Sequence, residues 1–371
     1  MKTETGPERP HSGGSFWLCL VLDVMVAAAV VGLFFLFLQA LPEYLQSQKL
    51  EEAMAEETAV YAEAEPADDL PAGTADISFD ETEAEIEPDE TPAAEPENAE
   101  DSKAEESIFR EKFAEFFTEE TEIRKDSYTS PNISIQITPV ADSEHGADPF
   151  NADIADIHVS SADNLQAGFP TGHIRAEAGT IAEDNRAILG VNGDYYLNVN
   201  KCLLVRNGTV LQSEEGTSDI CAVYGDGTMQ TYGPDEYSAE EILSRNPWQV
   251  WSFGPALLDE DGQPKTEYNT SKAIYYKNPR TAIGYYEPGH YCLVVIDGRQ
   301  AGTNGASIRA LASMMSDMGC KAAYNLDGGA SSVMVFNGKI MNSPSGGGRK
   351  ISDIVMVREL PTAETIIDGE G

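Results

Sequence analysis

Tyr291-Cys292-Leu293-Val294-Val295-Ile296, running directly into Asp297-Gly298-Arg299, is the stretch that decides the fold. An unbroken apolar run of this length, closed by a polar turn, predicts a strand buried on both faces. Downstream, Leu311, Met314, Met315 and Met318 recur at the spacing of one helix face, and Gly319 supplies the stop. Ala322 to Leu326 then reads as a second buried strand, ending in Asp327-Gly328-Gly329. A helix joining two buried strands predicts that they run parallel. Asp297 and Asp327 should then emerge on one rim, where sheets of this kind place their ligands.

Outward from this unit, Ser134-Ile135-Gln136-Ile137 alternates like a half-buried strand. Further strands are expected at Ile154 to Val159, Ile188 to Val191, Val333 to Phe336 and Ile354 to Val357. Asn207-Gly208, Asp226-Gly227 and Asn337-Gly338 mark hairpin turns. Ser238 and Glu241 have capping-box spacing and should open a short helix through Leu243. The fold class is therefore α+β over residues 128–358, a mixed sheet with hairpins and one strand–helix–strand unit. Ahead of it, Ile108, Phe109, Phe113, Phe116 and Phe117 recur near helical spacing. They predict an amphipathic helical arm over 108–127, a packing element or an oligomer contact.

The rest of the chain is of another kind. Its 371 residues carry a formal net charge of −39, and Glu51 to Ser107 holds 22 acidic side chains against the single base Lys103. Such a segment buries too little apolar surface to offset ordering, so 42–107 reads as a disordered, self-repelling stalk. The same charge argues against a nucleic-acid partner, whose phosphates it would repel. Phe16 to Leu41 is apolar apart from Asp23 and Gln39, long enough to span a membrane. Lys2 and Arg9 on its amino-terminal flank keep residues 1–15 cytoplasmic and place the domain across the cell membrane. A cleaved signal peptide is the rival reading, since Leu38-Gln39-Ala40 resembles a cleavage site. Residues 359–371 read as a loose acidic tail. Cys202, Cys221, Cys292 and Cys320 allow three disulfide pairings, or are buried thiols.

Zinc-protease, serine-hydrolase, Walker, dinucleotide and C-x-x-C signatures are all absent from the sequence. What the sequence offers instead is polar residues beside glycines at strand ends. These are Asn192-Gly193-Asp194, Arg280-Thr281, Asp297-Gly298-Arg299, Asn325-Leu326-Asp327-Gly328-Gly329-Ala330-Ser331-Ser332 and Asn342-Ser343-Pro344 with Arg349 behind. Arginine forks and glycine-exposed N–H groups hold phosphate oxygens. A carboxylate beside them can act at an anomeric carbon or on water. A phosphate ester departs as a stable anion, so a strong general acid matters less.

In order along the chain, these motifs, with Ser252-Phe253-Gly254-Pro255-Ala256-Leu257, resemble the ordered motifs of the phosphodiester glycosidases over about residues 130–358. The resemblance implies hydrolysis of a sugar-1-phosphodiester with release of the sugar. It points to Asp327 as the catalytic carboxylate, with Asp297 as runner-up and Asp194 beside them. Arg280, Arg299 and Arg349 would bind phosphate. Asn192 and Asn325 would position sugar or water, and Gly328, Gly329, Ser331 and Ser332 would shape the Asp327 loop. Two departures stand out. Many relatives carry an acid in the following helix where this chain has Ser307-Ile308-Arg309-Ala310-Leu311, and Ala330 occupies a position that is often glycine or glutamine. No metal spacing is compelling, although Asp297, Asp327 and nearby carbonyls suit Ca²⁺. An envelope glycan phosphodiester is the expected substrate. The alternative is a non-catalytic binding module or assembly factor for phosphate-bearing polysaccharides.

Overall fold

The computed structural model describes residues 109–360, apart from Ala147 and Asn200. The amino-terminal segment, the expected anchor, the stalk and the tail beyond 360 lie outside the described residues. Among those described, no helix is long and apolar enough to cross a membrane.

The domain is mostly β-structure, arranged as one seven-stranded and two five-stranded sheets. The large sheet runs Glu122–Ile123, Ser127–Thr129, Ile133–Asp142, Phe150–Val159, His290–Ile296, Arg280–Glu287, Ala322–Asn325. A second sheet runs Met229–Tyr232, Ile220–Tyr224, Pro247–Trp251, Leu203–Arg206, Thr209–Ser213. The third runs Lys339–Ile340, Met334–Phe336, Leu189–Asn192, Ile354–Val357, Leu165–Gly168. Every pairing between these strands is antiparallel, which corrects the expected mixed sheet. The parallel inference was right in direction and wrong in adjacency. His290–Ile296 and Ala322–Asn325 do run the same way, joined through the helix Ile308–Asp317, but Arg280–Glu287 lies between them and pairs with both. Asp297 and Asp327 therefore do leave from one rim, two strands apart.

One core joins the three sheets. Ile135, Ile157 and Leu293 from the first, Val223 and Trp251 from the second, and Val191, Phe336 and Val355 from the third pack in a single cluster. Each sheet is also covered on its other face by a short helix. Ile308–Asp317 packs its Leu311 and Met315 on Cys292 and Val294. Ala178–Asp184 packs Ile181 on Val335 and Ile354. Ala239–Ser244 packs Ile242 in a cluster with Val205 and Ala222. Two covered faces explain why these strands read as continuous apolar runs rather than alternating ones. Each fully buried Val, Leu or Ile contributes about 1.5–3 kcal/mol.

Local signals are obeyed where they are chemically strict. Asn207 and Gly208 have φ of 51° and 75°, and Asn337 and Gly338 have 46° and 71°, the paired positive values of a tight hairpin turn. Ser238 caps its helix by accepting from Glu241 N at 3.1 Å.

The amino-terminal arm is shorter than its phenylalanine spacing suggested. It is helical only within residues 109–116, and its second half forms the edge strands Glu122–Ile123 and Ser127–Thr129. Helical periodicity runs out at Phe117, after which β-branched residues pair onto the open edge of the large sheet. Phe109 and Phe113 are buried against Gly227 and Gly289, so the arm packs on its own domain. Lys112 pairs with Glu287 at 2.8 Å. At the other end, Glu359 accepts from Tyr128 OH (3.0 Å) and Ser130 Oγ (2.5 Å), so the folded part reaches past the expected boundary at 358. Burial and Glu359 together push the Tyr128 phenol up to about 12. The four cysteines are buried free thiols, and the Cys292 and Cys320 sulfurs lie 3.7 Å apart.

Candidate active site

A cleft of about 240 Å³ opens beside the end of the Leu189–Asn192 strand. Asn192, Gly193, Asp194, Tyr195, Asp327, Ser331 and Arg349 line it, with Arg175, Lys350, Ile351 and Ser352 opposite. Five of the residues singled out from sequence are thus brought together: Asn192, Asp194, Asp327, Ser331 and Arg349.

Asp327 sits just beyond the Ala322–Asn325 strand, 8% exposed. Its Oδ1 accepts from Gly328 N at 2.8 Å, and its Oδ2 accepts from Arg349 Nη2 at 2.5 Å. Arg349 also donates through Nε to Ser331 Oγ (2.5 Å). The guanidinium lies 5.0 Å from the Tyr195 ring centre, and that of Arg175 lies 5.8 Å from the same ring. Both are within the range of a cation–π attraction. The cleft therefore has two carboxylates, Asp194 and Asp327, several cationic side chains and an aromatic wall.

One buried amide ties the loop carrying Asp327 to two neighbouring segments. Asn192 Nδ2 donates to the Asp327 carbonyl at 2.7 Å, while its Oδ1 accepts from Thr281 Oγ1 (2.6 Å) and Val333 N (3.3 Å). Three of the sequence motifs meet at this side chain, which is 1% exposed. Next to it, Gly193 lies so close to Asp353 that any Cβ would collide with the carboxylate, which is why only glycine fits there.

Behind the cleft stands a charge cluster that the sequence did not reveal. Arg206 donates to Asp194 Oδ1 through Nη2 (2.7 Å), to Asp353 Oδ2 through Nε (2.9 Å), and to the Val250 carbonyl. Asp194 accepts in addition from Ser252 N at 2.9 Å. Burial pulls Arg206 down, but Asp194 and Asp353 together hold it above its ordinary value. Burial also pushes Asp353 up, against the pull of Arg206. Asp194 thus lines the cleft while its carboxylate is occupied from behind, a supporting part rather than a free acid.

The remaining candidates lie elsewhere, each with its own partners. Arg280 is 2% exposed and donates to the carbonyls of Ala306 (2.9 Å), Ile274 and Tyr276, so its fork is consumed by backbone instead of facing phosphate. Burial, then the neighbouring Arg299, lower it to about 10. Arg299 is exposed and donates to Asn278 Oδ1 at 2.7 and 3.2 Å. Its guanidinium also covers Gly329. Asp297 accepts from Asn342 Nδ2 (3.0 Å) and Ser343 N (3.0 Å), which makes the Asn342-Ser343 motif a clamp on that turn. Burial raises Asp297 despite these donors, and burial followed by Asp297 itself raises Asp153 to about 6. Asn325 donates to the Gly254 carbonyl at 2.8 Å, tying the Ser252–Leu257 motif to the large sheet. Gly328 donates no side chain and approaches the Pro279 carbonyl, and Ser332 is 1% exposed behind the loop. Asp297 and Asp327, the carboxylates expected to suit Ca²⁺, are each engaged by separate donors. At the departure from the family pattern, Ala310 is buried in the cluster beneath the large sheet.

Residues 185–358 match the family model described as phosphodiester glycosidase. The N-acetylglucosamine-1-phosphodiester alpha-N-acetylglucosaminidase of Bos taurus is 26% identical over 224 residues, 53% of this chain and 42% of that protein. The human protein of that name is 28% identical over 206 residues, 49% and 38% of the two chains. The SPbeta prophage-derived uncharacterized protein YomE of Bacillus subtilis is 28% identical over 175 residues, 45% of this chain and 27% of that one. This chain thus spans well under half the length of each of these relatives. The zebrafish N-acetylglucosamine-1-phosphodiester alpha-N-acetylglucosaminidase catalytic domain superposes with a TM-score of 0.53 at 20% identity, over 65% of this chain and 88% of that one. It shares the fold. Over residues 185–358, just under half of its length, the chain is similar to the phosphodiester glycosidase family.

Proposed function

We propose that this domain hydrolyses a sugar-1-phosphodiester at the glycosidic C–O bond, with Asp327 as the reacting carboxylate and Arg349 as the phosphate ligand. The observation that carries this reading is the contact between buried Asp327 and part-exposed Arg349, 2.5 Å long, in the lining of a cationic cleft. An entering phosphodiester competes with Asp327 for the Arg349 fork, and Arg175 and Lys350 add positive charge around it. Losing its partner frees the Asp327 carboxylate to act beside the anomeric carbon, as nucleophile or as base for water. The C1–O bond breaks, the electron pair stays on the phosphate oxygen, and water supplies the new hydroxyl of the sugar. Neutralisation of the departing phosphate by the cations takes the place of a strong general acid. The Tyr195 ring offers an apolar wall to a sugar face.

Residues 16–41 read as an anchor, and the acidic segment behind them as a spacer. That setting suits an envelope glycan phosphodiester reached from the membrane surface. The full chain in detergent, given an alkyl phosphodiester of N-acetylglucosamine 1-phosphate, should release free sugar and a phosphomonoester, resolved by phosphorus NMR. Asp327→Asn should abolish release. Sugar phosphate as the product would instead mean P–O cleavage. Tight binding without turnover on several sugars would favour the binding-module reading.

A further inference from the structure

At the end of the large sheet opposite Asp297, three potential metal donors share one face. Asp156 and His158 are two apart on the Phe150–Val159 strand, so both point the same way. His290 lies directly across from His158 on the His290–Ile296 strand. One carboxylate oxygen from Asp156 and one ring nitrogen from each histidine lie within 4.8 Å of one another. Their present contacts leave the group unfinished. Asp156 Oδ1 bonds His290 Nε2 at 2.7 Å, but His158 Nδ1 stands 3.7 Å from Asp156 Oδ2, too far for a hydrogen bond. His158 is 3% exposed and stacks on Phe116 at 3.8 Å, so a ring that can both donate and accept sits largely out of water.

We propose that Asp156, His158 and His290 bind a divalent transition-metal ion of the zinc class. Two imidazoles and a carboxylate are the donor types zinc takes, at about 2.0–2.2 Å each. Residues i and i+2 of one strand, with a third opposite on the next, present three donors to one point above a sheet. Closing the site needs a modest contraction. The two rings are stacked 3.9 Å apart at 19°, with their nitrogens side by side, so His290 must turn toward the ion. It is the more exposed ring, at 21% against 4% for His158, and turning it gives up its stack on Tyr286 at 4.2 Å, while His158 is held under Phe113 and Phe116. Binding replaces the hydrogen bond between His290 Nε2 and Asp156 Oδ1 with a bond from each to the metal, and a neutral His290 keeps its one proton on Nδ1. Asp156, at 43% exposure, leaves the fourth position open to water. The ion would fasten two strands directly beneath the amino-terminal arm. The distance to the Asp327 rim is on the order of 20 Å, the length of a seven-residue strand.

The test is titration of the full chain in detergent with Co²⁺ and then Zn²⁺, in excess Mg²⁺ to occupy the carboxylate-rich segments. One equivalent should bind, Co²⁺ should show the intense visible bands of a four-coordinate site, and Zn²⁺ should displace it. His290→Gln and Asp156→Asn, both at partly exposed positions, should each weaken binding about tenfold or more, with near-UV dichroism unchanged. Binding without those bands, or binding equal in both variants and wild type, would overturn the site. So would the absence of any stoichiometric binding.

Discussion

Two arginine–aspartate contacts stand on either side of the Asn192 strand end, built from the same residue types and differing in access to water. Arg206 holds Asp194 and Asp353 with side chains 1%, 0% and 1% exposed. Arg349 holds Asp327 with side chains 40% and 12% exposed. A desolvated pair cannot change partners, because separating it leaves a charge in apolar surroundings. A half-exposed pair adds little net stability, since water screens it. It is correspondingly free to trade a carboxylate for a phosphate oxygen. On the proposed reading, the buried pair belongs to the frame and the more exposed one to chemistry.

That distinction breaks most easily at Arg206. Arg206→Met should cost about 3–5 kcal/mol in denaturant unfolding, because both carboxylates lose their counter-charge; a loss below about 1 kcal/mol would mean that the cluster is not a frame. Asp327→Asn should do the reverse. Turnover of the phosphodiester should fall by about 10²–10⁴, while unfolding free energy changes by no more than about 1 kcal/mol. Comparable damage to both would show that the half-exposed pair is structural after all. Arg349→Lys keeps the charge and loses the planar fork, so KM should rise by about tenfold with a smaller change in kcat. Unchanged KM would remove phosphate from Arg349.

The smallest effect concerns like charges. Asp153 has its folded pKa raised from 3.8 to about 6, by burial and by Asp297. The folded state therefore holds a proton that the unfolded state has already lost. The stability this group contributes is full below about pH 4 and declines as pH rises through about 6. Asp153→Asn should flatten that slope in thermal melts across the same window; an unaltered slope would place the titration elsewhere.

What could be read from sequence followed locality. The Asn-Gly hairpins, the Ser238 cap and the doubly buried strands depend on neighbours a few residues away. The placing of Asp327 and Arg349 in one cleft was legible too, because glycines crowd a loop that must bring backbone and carboxylate close. Arg206 was not. It follows three apolar residues and precedes Asn207-Gly208, the pattern of an exposed hairpin end. Its partners lie 12 and 147 positions away, a pairing that no window along the chain can display. Arg280 misled for the same reason, since the carbonyls that consume it belong to a loop and a helix end brought in by tertiary packing. The mixed-sheet expectation likewise treated succession along the chain as adjacency in space.

The strand Ile354–Val357 enters the third sheet between Leu189–Asn192 and Leu165–Gly168 and pairs with both. Nearly two hundred residues of chain separate the first and last of these partners. The sheet therefore cannot close until residue 357 has been made, because this strand alone joins Leu165–Gly168 to the rest of it. Asp353, one residue before it, delivers the second counter-charge to Arg206 in the same event. Closure of this sheet and completion of the frame behind the cleft thus wait for residues 353–357, and a chain cut short at about residue 350 would have neither.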